Sequence, residues 1–183
     1  MRASNARRWG WHRLTDAWAA RIVADAGIGR GDFVLDVGAG SGILTAHLVA
    51  AGARVVAVEL HPHRAQLLRE RFADAPVKVV RTDGADLRLP RRPFRVVANP
   101  PFGITTALVR RIVAPGSRLV AAHVILPYHA ARRWAEGNGP GALRVASTYD
   151  LRVGCAVPRS AFVPPPPAGA AMLVVRRRNT RIG

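Results

Sequence analysis

A polar asparagine followed by two prolines ends an apolar run at residues 96–103, VVANPPFG. The paired prolines fix an extended backbone and remove two N–H donors, so the segment presents carbonyl oxygens. The Asn99 side-chain oxygen and the Pro100 carbonyl could accept both N–H bonds of an exocyclic ring amine, and Phe102 offers a face on which the ring stacks. Such acceptors would stabilise an amine that becomes tetrahedral as it attacks an electrophile. The alternative is an ordinary turn, because Asn-Pro-Pro favours turns.

A glycine-rich turn, VLDVGAGSG at residues 34–42, leaves an apolar run and precedes a helical pattern. Glycines there let a ligand approach the backbone at the carboxyl edge of a parallel sheet. Ile43 stands where a dinucleotide-binding fingerprint requires a small residue, and Asp36 would repel a pyrophosphate but suits a cationic amino acid group. The pattern favours S-adenosylmethionine, which carries an ammonium and a sulfonium; the alternative is a generic glycine turn with an incidental acid. The glycines predicted to contact the cofactor are Gly38, Gly40 and Gly42.

Two further carboxylates follow the next two apolar runs. Glu59 ends the run RVVAVEL, at the spacing from the glycines where a carboxylate accepts ribose hydroxyls. Asp83 follows the third run and is a candidate acceptor for the adenine amino group. Asp86 competes for that role, and a solvated loop acid remains the alternative for either residue.

Short valine-rich runs alternate with helical patterns, which predicts an α/β fold with a parallel sheet and helices on both faces. The first helix is expected between Thr15, as its cap, and Gly27. The last two runs lack a long crossover helix, so we expect them to close the sheet as an antiparallel pair. The predicted strands are residues 33–37, 54–60, 77–80, 94–99, 118–126, 143–157 and 170–178, and the further helices are 43–52, 62–72 and 104–113.

Arginine dominates the charge of the chain. The sequence has 28 Lys and Arg against 11 Asp and Glu, a formal net charge of +17. Because guanidinium groups pair with phosphates and stack on bases, this excess predicts a nucleic acid partner. A GC-rich genome is the alternative, but it explains the choice of arginine and not the excess over acids. The basic runs lack an amphipathic helical pattern, so a membrane-surface role is not favoured.

Composition excludes several other classes of protein. The 183 residues are 49% hydrophobic and 21% charged, which predicts one globular domain. No apolar stretch reaches the roughly 20 residues of a membrane span, and the start of the sequence lacks the apolar core of a secretory signal. We therefore expect a cytoplasmic protein. Cys155 is the only cysteine, and His61 and His63 have no third ligand at a sensible spacing, so neither an internal disulfide nor a metal is expected.

These motifs together resemble the ribosomal RNA adenine N6-methyltransferases, most closely the Erm type. Members of that type modify 23S rRNA and confer resistance to macrolides, lincosamides and streptogramin B. The resemblance extends from about Gly10 to Val175 and is carried by VLDVGAGSGILT, VVAVEL, NPPF and AFVPPPP. It implies a Rossmann-like class I S-adenosylmethionine-dependent methyltransferase, with a mostly parallel seven-stranded sheet and helices on both faces.

The resemblance also implies roles for individual residues. NPPF matches the family's catalytic tetrapeptide, and Phe162 matches an aromatic residue that the family places against the target base. GWHRL at residues 10–14 matches the family's cofactor-covering segment, although Trp11 and Arg13 stand where the family has Gln and Phe. The implied catalytic residues are Asn99, Pro100, Phe102 and Phe162; the implied cofactor contacts are His12, Leu14, Asp36, Gly38, Gly40, Gly42, Glu59, Leu60, Asp83, Gly84 and Asn99.

The expected organisation is a basic N-terminal arm at 1–14, a catalytic domain at 15–178 and a basic tail at 179–183. Family members carry a helical C-terminal domain, whereas this sequence stops soon after its last strand. The expected partner is 23S rRNA or a ribosome precursor, with no membrane and no metal, and we expect a monomer. The alternatives are a methylase of DNA adenine or of a protein glutamine, and a catalytically silent RNA-binding or ribosome-assembly protein on the same scaffold.

Overall fold

The computed structural model describes residues 12–139 and 145–178. Most of the predicted N-terminal arm and the whole predicted tail, 179–183, lie outside the described residues. In chain order the strands are β1 (Arg13–Leu14), β2 (Phe33–Val37), β3 (Arg54–Val58), β4 (Val77–Val80), β5 (Phe94–Ala98), β6 (Leu119–Pro127), β7 (Tyr149–Val157), β8 (Phe162–Val163) and β9 (Ala170–Arg177). The α-helices are α1 (Asp16–Asp25), α2 (Ile43–Ala50), α3 (Pro62–Arg71), α4 (Thr105–Ile112) and α5 (Tyr128–Ala135).

Seven strands form one sheet in the order β4-β3-β2-β5-β6-β9-β7. The first five are parallel, and β9 runs antiparallel to both of its neighbours. Strands β2, β3 and β5 read as near-continuous valine runs because both sheet faces are covered. This arrangement confirms the predicted fold class, including the antiparallel closure of the sheet.

Helices cover both faces of the sheet. On one face α1 and α2 contribute Ile22, Leu44 and Leu48 to a buried cluster. On the other, α4 and α5 contribute Leu108 and Trp134 to a second cluster. The strand order reverses between β2 and β5, so the carboxyl ends of these strands border a crevice where doubly wound sheets bind ligands.

The structure differs from three details of the predicted elements. Residues 143–144 of the strand predicted at 143–157 lie outside the described residues, and the strand begins only at Tyr149 because residues 146–148 form a turn that precedes it. Thr15 does lie at the N-cap position of α1, but within the described chain its side chain makes no capping hydrogen bond. The predicted arm also includes β1, which pairs with β8 as a separate two-stranded sheet.

Candidate active site

The glycine turn after β2 packs directly against the loop after β5. Gly38 has a positive φ of 77°, and a Cβ placed on it would lie 3.0 Å from the Pro100 Cα atom and 3.1 Å from the Pro101 Cδ atom. Only glycine accommodates both the conformation and the close approach. The two motifs that the sequence singled out are therefore neighbours at one edge of the sheet.

Asp36 is a buried carboxyl inside the site, with 1% of its surface exposed. Its Oδ2 atom accepts a hydrogen bond of 2.6 Å from the Thr45 hydroxyl, whereas Oδ1 has no hydrogen-bond partner among the described residues. Burial raises the pKa of Asp36 to about 7, the Thr45 bond lowers it in part, and repulsion by Glu59 raises it further. An unpartnered buried carboxylate oxygen suits a cationic ligand group.

Glu59 follows β3 directly and is held by backbone donors. Its Oε2 atom accepts from the Gly40 N–H and its Oε1 atom from the His61 N–H, both at 2.8 Å. Each carboxylate oxygen keeps a further lone pair. The side chain is thus fixed in orientation while it can still accept hydroxyl hydrogen bonds.

A cavity of about 350 Å³ brings together predicted cofactor residues from three strand ends. This volume lies within the usual range for small-molecule sites. Asp83 lines it, and the Asp83 Oδ1 atom accepts from the Ala85 N–H at 2.9 Å. Its competitor Asp86 lines a separate groove instead. The cavity is lined by Gly38, Val58, Glu59, Leu60, His61, Arg64, Thr82, Asp83, Gly84, Pro101, Gly103 and Ile104.

A second, small cavity shares Gly38 with the first and brings Asn99 together with Asp36 and Leu14. The Asn99 Nδ2 atom donates to the His12 carbonyl oxygen at 2.7 Å. Most of the predicted cofactor residues line one cavity or the other, with Asn99 and Asp36 in the second, whereas His12, Gly40 and Gly42 line neither. The second cavity measures about 10 Å³, which is room for about one water molecule, so the cationic end of an elongated ligand would reach Asp36 only after the lining had moved apart.

Three rings meet near Asn99. The His12 ring lies 5.8 Å from the Phe102 ring and 6.5 Å from the Phe162 ring, measured between centroids. Phe162 has 2% of its surface exposed and belongs to the buried cluster beneath α1 and α2. Phe102 is partly exposed. A base held between Phe102 and Phe162 would therefore require His12 to move.

Sequence reasoning missed several residues of the site. Thr45 stands in the motif VLDVGAGSGILT without a predicted role, yet its hydroxyl donates to Asp36 from the first turn of α2. Thr82, Gly103 and Ile104 line the main cavity because they flank Asp83 and NPPF. Their position just after strand ends was the signal that could have identified them.

The described ranges contain no group of three or more His, Cys, Asp or Glu side chains arranged to hold a metal ion. The same ranges contain no helix long and apolar enough to cross a membrane.

The chain is similar to known proteins in both sequence and structure. The model of a family described as ribosomal RNA adenine dimethylase matches residues 4–182. The chain is 33% identical over 175 residues to a ribosomal RNA small subunit methyltransferase A from Synechococcus sp. (strain JA-2-3B'a(2-13)), covering 86% of this chain and 62% of the relative. It is 39% identical to the mycinamicin-resistance protein MyrB of Micromonospora griseorubida, covering 72% of this chain and 42% of the relative. The chain thus spans about half the length of the curated relatives that it matches.

Among solved structures, the 23S rRNA methyltransferase ErmE aligns with a TM-score of 0.81 at 29% identity, over 90% of this chain and 69% of that structure. A dimethyladenosine transferase from Plasmodium falciparum aligns with a TM-score of 0.77 at 21% identity, over 91% and 64% of the two chains. These findings confirm the predicted resemblance, the class I methyltransferase fold and S-adenosylmethionine as the cofactor.

Proposed function

The chain belongs to the ribosomal RNA adenine dimethylase family, and from that premise we propose that it methylates N6 of an adenosine in 23S rRNA with S-adenosylmethionine. We further propose that this modification confers resistance to macrolides, lincosamides and streptogramin B. The relatives named above divide between small-subunit rRNA enzymes and resistance proteins. The high TM-score with ErmE supports the 23S assignment.

One observation carries the proposal: Asn99 and the buried acid Asp36 line the same cavity beside the glycine turn. This juxtaposition places an acceptor for a ring amine next to a carboxyl suited to a cation. A protein that only bound RNA would have no need of a buried carboxyl with an unpartnered oxygen, because such a group costs stability.

The residues fit the cofactor at both of its ends. Glu59 would bind the ribose hydroxyls, Asp83 the adenine amino group and Asp36 the cationic amino acid end. When bound, S-adenosylmethionine supplies an electrophilic methyl group on its sulfonium. We assign Gly38, Leu60 and Gly84 to the walls of this site. Gly40 acts through the N–H that holds Glu59, and Gly42 allows the turn to pack against Leu68 and Phe72.

Asn99 and Pro100 act on the target amine. The Asn99 Oδ1 atom and the Pro100 carbonyl accept its two N–H bonds and orient the nitrogen lone pair away from the ring. Phe102 stacks on the adenine, which must leave the RNA stack to enter the site. The adenine lies between Phe102 and Phe162 once the His12 ring, which is near both of them, has moved aside.

The excess of positive charge supports RNA as the substrate. Arginine side chains contact phosphates and position the RNA, whereas the base pocket selects adenine. We propose that the protein acts as a monomer in the cytoplasm on 23S rRNA or a precursor particle.

The test is methyl transfer from radiolabelled S-adenosylmethionine to separate samples of 23S rRNA, 16S rRNA, duplex DNA and protein. We expect label in 23S rRNA at one adenosine, located by primer extension, and none with the Asn99→Ala variant. Label in 16S rRNA alone would reassign the substrate to the small subunit. Label in DNA or protein would refute the RNA assignment, and label in no sample would favour a silent RNA-binding protein. Expression in a susceptible bacterium should raise its macrolide resistance if the 23S assignment is correct.

A further inference from the structure

We call residues 12–15 the N-terminal strap. The strap joins the start of the described chain to residues 161–164, where the proline run of AFVPPPP begins. Arg13 and Leu14 pair with Val163 and Phe162 as antiparallel strands. The strap is extended and reaches from the site to the start of α1.

Contacts beyond the strand pair hold the strap at both ends. The Thr15 N–H donates to the Ala161 carbonyl oxygen at 2.8 Å. At the other end the His12 Nδ1 atom lies 3.0 Å from the Pro164 carbonyl oxygen. Leu14 between them has 1% of its surface exposed and packs in the buried cluster that contains Phe162.

The strap also contacts Asn99, from 87 positions away in the sequence. The Asn99 Nδ2 atom donates to the His12 carbonyl oxygen at 2.7 Å. A backbone carbonyl only accepts, so it bonds the NH2 group of a carboxamide and repels its oxygen. The contact therefore distinguishes the two ends of the Asn99 side chain, which would otherwise be almost equal in shape.

We infer that the strap is a positioning device for Asn99: the His12 carbonyl holds the carboxamide so that its oxygen is left for the target amine. His12 is a positioning residue in this scheme, because its backbone acts through Asn99. The inference rests on the proposed function, since an amine acceptor at Asn99 matters only for transfer to an amine. It concerns the orientation of a reacting group, which is distinct from covering the cofactor.

Thr15→Pro is the variant that tests this inference. Thr15 has φ −68° and ψ 157°, a conformation that proline adopts, and Leu14 before it is already extended. Proline would remove the N–H that bonds Ala161 and place a ring carbon against that oxygen. Thr15→Ala is the matched control, because it keeps the N–H and loses a hydroxyl that makes no capping bond in the described chain.

The first measurement is the single-turnover rate of methyl transfer to rRNA at saturating cofactor, where changes in cofactor affinity do not contribute. We expect Thr15→Pro to lower this rate about tenfold, the equivalent of one lost hydrogen bond, and Thr15→Ala to stay within about twofold. An unchanged rate in Thr15→Pro would overturn the inference.

The second measurement is the side-chain amide signal of Asn99 in nitrogen-15 NMR spectra, and it does not depend on activity. The sequence has only four asparagines and one glutamine, so the signal missing in Asn99→Ala identifies the residue. In the unmodified protein one Asn99 amide proton should exchange with water more slowly than those of the exposed Asn138. If the side-chain amide protons of Asn99 exchanged as fast as those of the exposed reference residue, the inference would be overturned even if Thr15→Pro failed to fold.

The two measurements together separate the strap from the proposed function. Slow exchange that is lost in Thr15→Pro and kept in Thr15→Ala supports the strap's hold on Asn99. If the unmodified protein shows this pattern but transfers no methyl group to rRNA, the proposed function fails while the contact stands. A lower transfer rate with an unchanged Asn99 signal would refute the positioning role.

Discussion

Replacing Asp36 by Asn should remove a pH dependence from the folding equilibrium. Burial raises the pKa of Asp36 from 3.8 to about 7. Between these values the folded protein retains a proton that the unfolded chain has lost, so this carboxyl lowers the free energy of unfolding as pH rises. Its contribution is fully present below pH 3.8 and is lost progressively up to pH 7. Each pH unit corresponds to about 1.4 kcal/mol, so the two units from pH 5 to 7 cost about 3 kcal/mol.

The assay is urea unfolding, followed by tryptophan fluorescence at pH 5 and at pH 8, of the unmodified protein and Asp36→Asn. The asparagine can keep a hydrogen bond with the Thr45 hydroxyl but has no charge to bury. We expect its advantage in free energy of unfolding to be about 3 kcal/mol larger at pH 8 than at pH 5. The exposed Asp74 provides the control, because Asp74→Asn makes the same change of charge at the surface. An equal effect of Asp36→Asn at both pH values would refute the account of the buried carboxyl.

Three further predictions test other parts of the site and core. Glu59→Gln should weaken cofactor binding about 10- to 100-fold in calorimetry, because an amide cannot accept from both backbone N–H groups, while the exposed Glu70→Gln should leave it unchanged. Gly38→Ala should lower the affinity for the cofactor more than Gly116→Ala does, as measured by calorimetry. Both glycines have φ near +78°, at 77° and 79°, but a Cβ at Gly116 meets nothing within 4 Å in the described chain. Burial lowers the pKa of His123 to about 4, so the unfolded chain gains a proton first as pH falls from 6.5. His123→Val should therefore reduce the loss of stability between pH 6.5 and 4, and an unchanged acid transition in urea unfolding would contradict this.

The sheet and the acids at its edge were predictable because their signals are local. Each valine run is a strand buried on both faces, and parallel strands deliver the residues that follow them to one edge. The positions of Glu59 and Asp83 after β3 and β4 were therefore enough to predict that both residues lie at the cavity. The sequence alone did not separate Asp83 from Asp86, whereas in the structure the 3-10 turn at Gly84–Asp86 directs them to different cavities.

The contacts of the N-terminal strap could not be predicted from the sequence. A two-residue strand has too few residues to show a period, and β1 pairs with β8 across almost the whole chain. The bond between His12 and Asn99 involves a backbone carbonyl, which leaves no mark on residue type. The predicted arm boundary at residue 14 followed charge, whereas the structure includes residues 12–14 in the packing around the site.

The distribution of acids explains how a strongly basic protein can bind a cationic cofactor. The sequence has 11 acidic residues against 28 basic ones, yet Asp36, Glu59 and Asp83 all line the two neighbouring cavities of the site. The charge of Glu59 and Asp83 opposes the entry of phosphates into the cofactor cavity, while the excess of arginines in the chain favours contact with a polyanion. The same segregation predicts opposite salt effects. RNA binding should weaken steeply with added salt, and cofactor binding, which depends on buried carboxyls, should change little. Equal salt sensitivity of the two affinities would contradict this division of charge.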